Sequence, residues 1–162
     1  MSDDYAAFIA AKSRTVAASG FDVAPDALAA HLFPHQRDLV RWSLRRGRAA
    51  LFADTGLGKT MMLLEWSRHV SARAGRVLVL APLAVGEQIS REAQRFGVDA
   101  HYRRSDQGDA ITITNYEMLH AFDASNFAGV VCDESSILKS FSGATRNQII
   151  ETFIATPFKL AC

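Results

Sequence analysis

The sequence predicts an α/β fold, doubly wound, with a mainly parallel sheet flanked by helices. Three observations predict it. Apolar runs of strand length recur at residues 49–53, Val77–Ala81, 111–114, Gly129–Cys132 and 158–162, and they are continuous rather than alternating, as expected of strands buried on both faces. The segments between several of these runs carry helical spacing. The first run passes through a glycine-bearing loop, Asp54 to Gly58, directly into a helix beginning at Lys59, which is a strand-to-helix passage of an α/β layer.

Taken in order, residues 1–32 are Ala-rich and form a short helical N-terminal appendage, with one helix over residues 5–12 and another over 25–32 after a turn at Gly20. Residues 33–162 form the main domain, read as truncated at its C-terminal end. Arg37, Arg41 and Arg45 recur every four residues, which makes one helical stripe opposite Val40 and Leu44. That stripe is either a solvated face or a phosphate-contacting one, and Arg46 and Arg48 extend the basic run. Val85, Ile89, Ala93 and Phe96 define one helical face, with Glu87, Arg91 and Arg95 elsewhere on the surface. Ile149, Ile150, Phe153 and Ile154 define another.

Composition excludes several classes. A chain of 162 residues with 49% hydrophobic and 22% charged residues is neither disordered nor fibrous, and suits one domain of ordinary size. No apolar run approaches the roughly 18 residues of a membrane span, and the acidic start Met1-Ser2-Asp3-Asp4 opens no signal-peptide pattern. The two cysteines, Cys132 and Cys162, make neither a disulfide framework nor a metal spacing, so a cytoplasmic setting is expected, that of a host cell if the gene is phage-borne. A net charge of +1 gives no global reason to expect nucleic acid.

The chemistry lies in two segments. In Ala53-Asp54-Thr55-Gly56-Leu57-Gly58-Lys59-Thr60, glycines at 56 and 58 let backbone N–H groups approach phosphate oxygens and allow the positive φ values of a tight nest. The following helix offers its unpaired N–H groups and positive dipole end. Lys59 would reach the β- and γ-phosphates of a nucleoside triphosphate, and the Thr60 hydroxyl would ligate Mg²⁺. Thr55, Gly56, Leu57 and Gly58 line the cradle, although Ala53 stands where such loops usually begin with glycine. In the second segment, the apolar strand Val130-Val131-Cys132 ends in Asp133-Glu134. Adjacent carboxylates point in different directions, so Asp133 suits the metal and Glu134 suits orienting and deprotonating the attacking water. Both segments fall at the carboxyl edge of the sheet, where open α/β folds bind ligands.

At this point the chain from about residue 33 onward resembles the first RecA-like domain of superfamily 2 helicases and translocases, and within them the Swi/Snf-like and phage DEAD/DEAH-type branch. Phe33-Pro34-His35-Gln36 looks like the upstream adenine-reading motif, which implies that Gln36 reads adenine. Residues 53–60 look like motif I. Ala81-Pro82-Leu83 resembles motif Ia and Thr114-Asn115-Tyr116-Glu117 resembles motif Ib, which implies that Pro82, Leu83, Thr114, Asn115 and Tyr116 face a nucleic-acid backbone. Asp133-Glu134-Ser135-Ser136 stands at the DEAD/DEAH box, where Ser135 and Ser136 depart from the usual Ala-His or Ala-Asp ending. Residues 137–140, then Thr145-Arg146, resemble the segment after the box in the Swi/Snf-like branch.

The resemblance implies a motor that couples ATP hydrolysis, with Mg²⁺, to movement on nucleic acid, DNA in preference to RNA. It also implies that the last strand is inserted between the phosphate-loop strand and the Asp-Glu strand. Residues 155–157 precede that strand, so they do not match the Ser/Thr-Ala-Thr motif that follows it in the family. A second RecA-like domain, which supplies an arginine finger in the family, has no room in 162 residues, so the chain reads as a fragment with weak hydrolysis by itself. Two other readings remain beside the motor. One is a regulatory or assembly ATPase that does no mechanical work. The other is a P-loop kinase, disfavoured because no Arg-rich lid is visible and the Asp-Glu pair suits water activation.

Overall fold

The computed structural model describes residues 17–54, 56–136 and 143–162. The expected helix over 5–12 and the segment 137–140 lie outside the described residues, as does Thr55. Besides three short 3-10 helices, four α-helices and six strands are described: α1 (Pro34–Arg46), β1 (Arg48–Ala50), α2 (Lys59–Arg73), β2 (Val77–Ala81), α3 (Gly86–Arg95), β3 (Ala100–Tyr102), β4 (Ile111–Asn115), β5 (Gly129–Cys132), α4 (Gly143–Thr152) and β6 (Phe158–Ala161). The six strands form one sheet in the order β1-β6-β5-β2-β4-β3, and each pairing is parallel.

The reason for continuous apolar runs is visible in β2. Its five residues are all buried. Val77, Val79 and Ala81 join the core under α1, α2 and α3, with Leu44, Leu63, Trp66 and Ile89. Leu78 and Leu80 point the other way, into a second core with Tyr116, Phe122, Phe127, Ile149 and Phe153. One strand therefore serves two cores, and at roughly 1.5–3 kcal/mol per fully buried large apolar side chain it is a principal contributor to stability.

The last strand, β6, lies between β1 and β5, the position the resemblance implied. Several boundaries differ from the sequence expectation. The strand β1 covers Arg48–Ala50 rather than 49–53, although the Leu51 N–H still donates to the Ala161 carbonyl at 2.8 Å. The strand β6 stops at Ala161, and β4 extends to Asn115. No apolar run marked β3 at the sheet edge, where Ala100 is buried and His101 and Tyr102 are half-buried. On α4 and the turn that follows it, Ile149 and Phe153 are buried as expected, whereas Ile150 and Ile154 are exposed.

The expected helix over residues 25–32 is not present; a three-residue 3-10 turn, Pro25–Ala27, stands there instead. Side chains from α1 and α2 take the backbone groups that a helix would use. Arg37 donates to the carbonyls of Leu32 and Ala30, Arg68 donates to that of Ala27, and the Ala29 N–H donates to the Glu65 carboxylate. Arg41 binds the Val23 carbonyl and Asp22. The arginine stripe thus holds the N-terminal segment, so it is not simply a solvated face. Val23 and Leu28 sit in the same core as α1 and α2.

Candidate functional site

The phosphate loop leaves β1 and enters α2 through two left-handed residues, Gly56 (φ 83°) and Gly58 (φ 75°). Gly58 caps α2, and its carbonyl accepts the N–H groups of Met61 and Met62. A side chain at Gly58 is doubly excluded, because a Cβ there would lie 2.4 Å from Gln36 Nε2. Gly56 faces open space, with nothing within 4 Å of a Cβ, as a cradle for a ligand requires.

Gln36 is 3% exposed and braces this loop. Its Nε2 donates to the Leu57 carbonyl at 3.0 Å, and its Oε1 accepts the Phe33 N–H at 2.9 Å. Both ends of the amide are engaged here, so the same side chain that the resemblance assigns to adenine also ties α1 to the phosphate loop.

The second half of the site is the turn after β5. The Asp133 N–H donates to the Leu80 carbonyl at 2.8 Å, and the Asp133 carbonyl accepts the Tyr116 hydroxyl at 2.8 Å. The Asp133 carboxyl is buried. Burial, first, raises its affinity for a proton, helped by the neighbouring Glu134 charge and opposed by a backbone N–H and by Lys59. Glu134 adopts φ 49°, the left-handed region that non-glycine residues seldom enter, and its side chain is exposed. Such strain is concentrated at functional turns. The Ser135 N–H donates to the Cys162 carbonyl at 2.6 Å, and Ser136 Oγ donates to Glu134 Oε1 at 2.7 Å.

The two halves meet. Gly56, Gly58, Lys59, Thr60, Asp133 and Glu134 line one hollow of about 380 Å³, with Pro82 and Val85 on its wall. A neighbouring hollow of about 540 Å³ shares Lys59 and Glu134 and adds Phe52, Asp54, Ser135, Ser136 and Cys162. The donor set fits ATP with Mg²⁺: a lysine and a threonine at a helix N-terminus, facing a desolvated carboxylate that a divalent cation would relieve. A larger hollow of about 680 Å³, between Arg76, Phe127 and Pro157, lies at the opposite, amino-terminal edge of the sheet.

The nucleic-acid candidates divide. Leu83 is 67% exposed and Pro82 is half-buried. Thr114, Asn115 and Tyr116 are buried, so their side chains do not present themselves to a nucleic-acid backbone in this conformation. Asn115 donates to the Tyr102 hydroxyl, and Tyr116 holds the Asp133 turn. Ser136, known from the sequence only as part of the box segment, and Cys162 also line the cleft, although neither was among the candidate site residues. The short spacing from Glu134 was the available signal for Ser136, whereas Cys162 reaches the cleft only through the insertion of β6.

A parallel sheet with a glycine loop leading into a helix beside an Asp-Glu turn, and β6 inserted between their strands, is the RecA-like P-loop architecture. Comparison with solved structures agrees. The UvsW helicase from bacteriophage T4 superposes with a TM-score of 0.69 at 16% identity, covering 97% of this chain and 58% of that one. The Sulfolobus solfataricus SWI2/SNF2 ATPase core in complex with dsDNA superposes with a TM-score of 0.66 at 20% identity, covering 86% of this chain and 33% of that one. In sequence, the chain is 28% identical over 149 residues to the Bos taurus DNA annealing helicase and endonuclease ZRANB3. It is 27% identical over 152 residues to a probable global transactivator of Orgyia pseudotsugata multicapsid polyhedrosis virus. The chain covers 14% and 30% of the lengths of these two curated relatives. No family model matches. The resemblance to helicases of the SWI2/SNF2 and UvsW type therefore holds in fold and in relatives. Among the described residues no helix is long and apolar enough to cross a membrane.

Proposed function

We propose that this chain is the ATP-binding half of an ATP-dependent DNA helicase or translocase working in the cytoplasm. The observation that carries the reading is the convergence of Lys59, Thr60, Asp133 and Glu134 on one hollow beneath a glycine cradle. Lys59 holds the β- and γ-phosphates, Thr60 and Asp133 hold the cation, and Glu134 takes the proton of the attacking water. When bound, Mg²⁺ neutralises charge on the phosphate oxygens. The likeness to the UvsW helicase and to a SWI2/SNF2 ATPase core in complex with dsDNA supports DNA as the track.

Among the described residues that line the two hollows, Lys59 is the cation, and no arginine is among them. An arginine at the transferred phosphate contributes on the order of 10³–10⁵ in rate in related NTPases. Turnover by these residues alone is therefore slow and is best read under single-turnover conditions. Lys59→Ala should weaken ATP binding about tenfold or more, the effect of losing one charge-assisted contact. Unchanged affinity in a fluorescent-nucleotide titration would sink the site assignment.

The burial of Thr114, Asn115 and Tyr116 supports a second reading, a nucleotide-binding module without mechanical work. Glu134→Gln separates the two. In a motor it retains ATP and tightens DNA binding in an ATP-dependent manner, measured by anisotropy of labelled DNA. In a non-motor module DNA affinity does not respond to ATP.

A further inference from the structure

We propose that Ser136 is the positioning residue for the water-activating carboxylate of Glu134, an inference that rests on reading this cleft as an ATP-hydrolysing site. Ser136 Oγ donates to Glu134 Oε1 at 2.7 Å, the length of a charge-assisted O–H···O⁻ bond. The bond occupies one carboxylate oxygen and leaves Oε2 to accept from a water.

The need for such a tether follows from the exposure of Glu134. A glutamate side chain in solvent samples many rotamers, and ordering one carries an entropic cost. Its own backbone, at φ 49°, directs the side chain away from the path that a strand would give it, and packing does not confine it. The turn that carries Ser136, in contrast, is fixed to the sheet. The Ser135 N–H is bonded to the Cys162 carbonyl at the end of β6, and the Asp133 carbonyl is bonded to the Tyr116 hydroxyl. The hydroxyl of Ser136 passes that rigidity to the carboxylate. General-base catalysis depends on this geometry, because the base must stand within hydrogen-bond reach of the water it deprotonates.

The test uses the full chain in excess over radiolabelled ATP, so that one turnover is followed, together with nucleotide Kd and thermal melting. Ser136→Ala should lower the hydrolysis rate about 5- to 10-fold with Kd changed less than about twofold, a transition-state loss of about 1 to 1.4 kcal/mol. Ser136→Thr, which keeps the hydroxyl, should recover most of the rate. Adding Ser136→Ala to Glu134→Gln should slow hydrolysis no further, because the tether acts only through that carboxylate. A merely structural role predicts the contrary, a lowered melting temperature and an equal further loss in the Glu134→Gln background. The proposal is overturned if Ser136→Ala hydrolyses at the wild-type rate, if Ser136→Thr is as slow as the alanine variant, or if the double variant loses rate additively. A slow Glu134→Gln beside a fast Ser136→Ala overturns the tether and leaves the hydrolytic reading standing. Wild-type hydrolysis that is absent, or insensitive to Glu134→Gln, overturns both.

Discussion

The two glycines of the phosphate loop make different demands on their positions. Both have positive φ, so alanine at either carries the left-handed penalty of about 1–2 kcal/mol. Only Gly58 also meets a neighbour, Gln36 Nε2, at 2.4 Å from a Cβ. Gly58→Ala must therefore displace the Gln36 amide, break its bond to the Leu57 carbonyl and disturb the cradle. It should lower stability by clearly more than Gly56→Ala and also weaken ATP binding, while Gly56→Ala registers as strain alone in the melt of the free protein. Melting curves and nucleotide titrations of the pair check this, and equal destabilisation would contradict the steric account. Glu134 gives a second residue-scale prediction. Glycine accepts φ 49° without penalty and alanine does not, so Glu134→Gly should be more stable than Glu134→Ala by about 1 kcal/mol in urea denaturation, with hydrolysis lost in both. A turn stored in strain for function shows that order, and the reverse order would mean that the backbone relaxes. The convergence of Lys59, Thr60, Asp133 and Glu134 on one hollow was legible in the sequence, because phosphate and water chemistry would call for those residue types at the end of a strand or the start of a helix. The bracing amide of Gln36 and the hydroxyl of Ser136 were not, because a hydrogen bond to a backbone or side chain depends on where the turns bring it.

At the scale of elements, the strands that are buried on both faces were readable, and the pieces that are held by side chains were not. Residues 25–32 have the composition of a helix but give their carbonyls to Arg37 and Arg68, a competition that no periodicity reveals. The tie between this segment and α2 centres on Glu65, which is 3% exposed. Burial alone would raise the affinity of its carboxyl for a proton, but bonds from Arg68, His69 and the Ala29 N–H outweigh that and bring the pKa from 4.5 down to about 2. The folded value lies below the unfolded one, so the stabilisation is complete above about pH 4.5 and is lost as pH falls toward 2. At 1.36 kcal/mol per pKa unit it is on the order of 3 kcal/mol, less a discount because Arg68 is partly exposed. Glu65→Gln should remove this contribution, so that the wild-type advantage in urea denaturation is largest at pH 6, falls to roughly half or less by pH 3 and is nearly gone only at about pH 2. An advantage that does not change with pH would show that the carboxylate is not the group responsible.

At the scale of the molecule, the latest strand in chain order occupies a central place in the sheet. The strand β6 is bonded on both sides: Lys159 N–H to the Gly47 carbonyl on the β1 side, and Cys162 N–H to the Cys132 carbonyl on the β5 side. Leu160 at its centre is 2% exposed. Without β6 the phosphate-loop strand has no partner in the sheet, and Lys59 is separated from Asp133 and Glu134. The site is thus assembled by an element that contributes little chemistry of its own, and this order was legible only through the family resemblance, since no local pattern in residues 158–162 distinguishes a central strand from an edge one. Native-state hydrogen exchange tests the consequence. Lys159 and Cys162, although close to the end of the chain, should exchange only through global unfolding, with the same free energy as Val79 in β2. The amides of β3, which is bonded on one side only, should exchange through smaller openings at lower free energy. Nucleotide binding should then raise the protection of β6 by the same increment as the global stability, because the proposed nucleotide site exists only in the assembled sheet. If β6 instead exchanges as fast as a fraying terminus, the phosphate loop and the carboxylates open independently of the core.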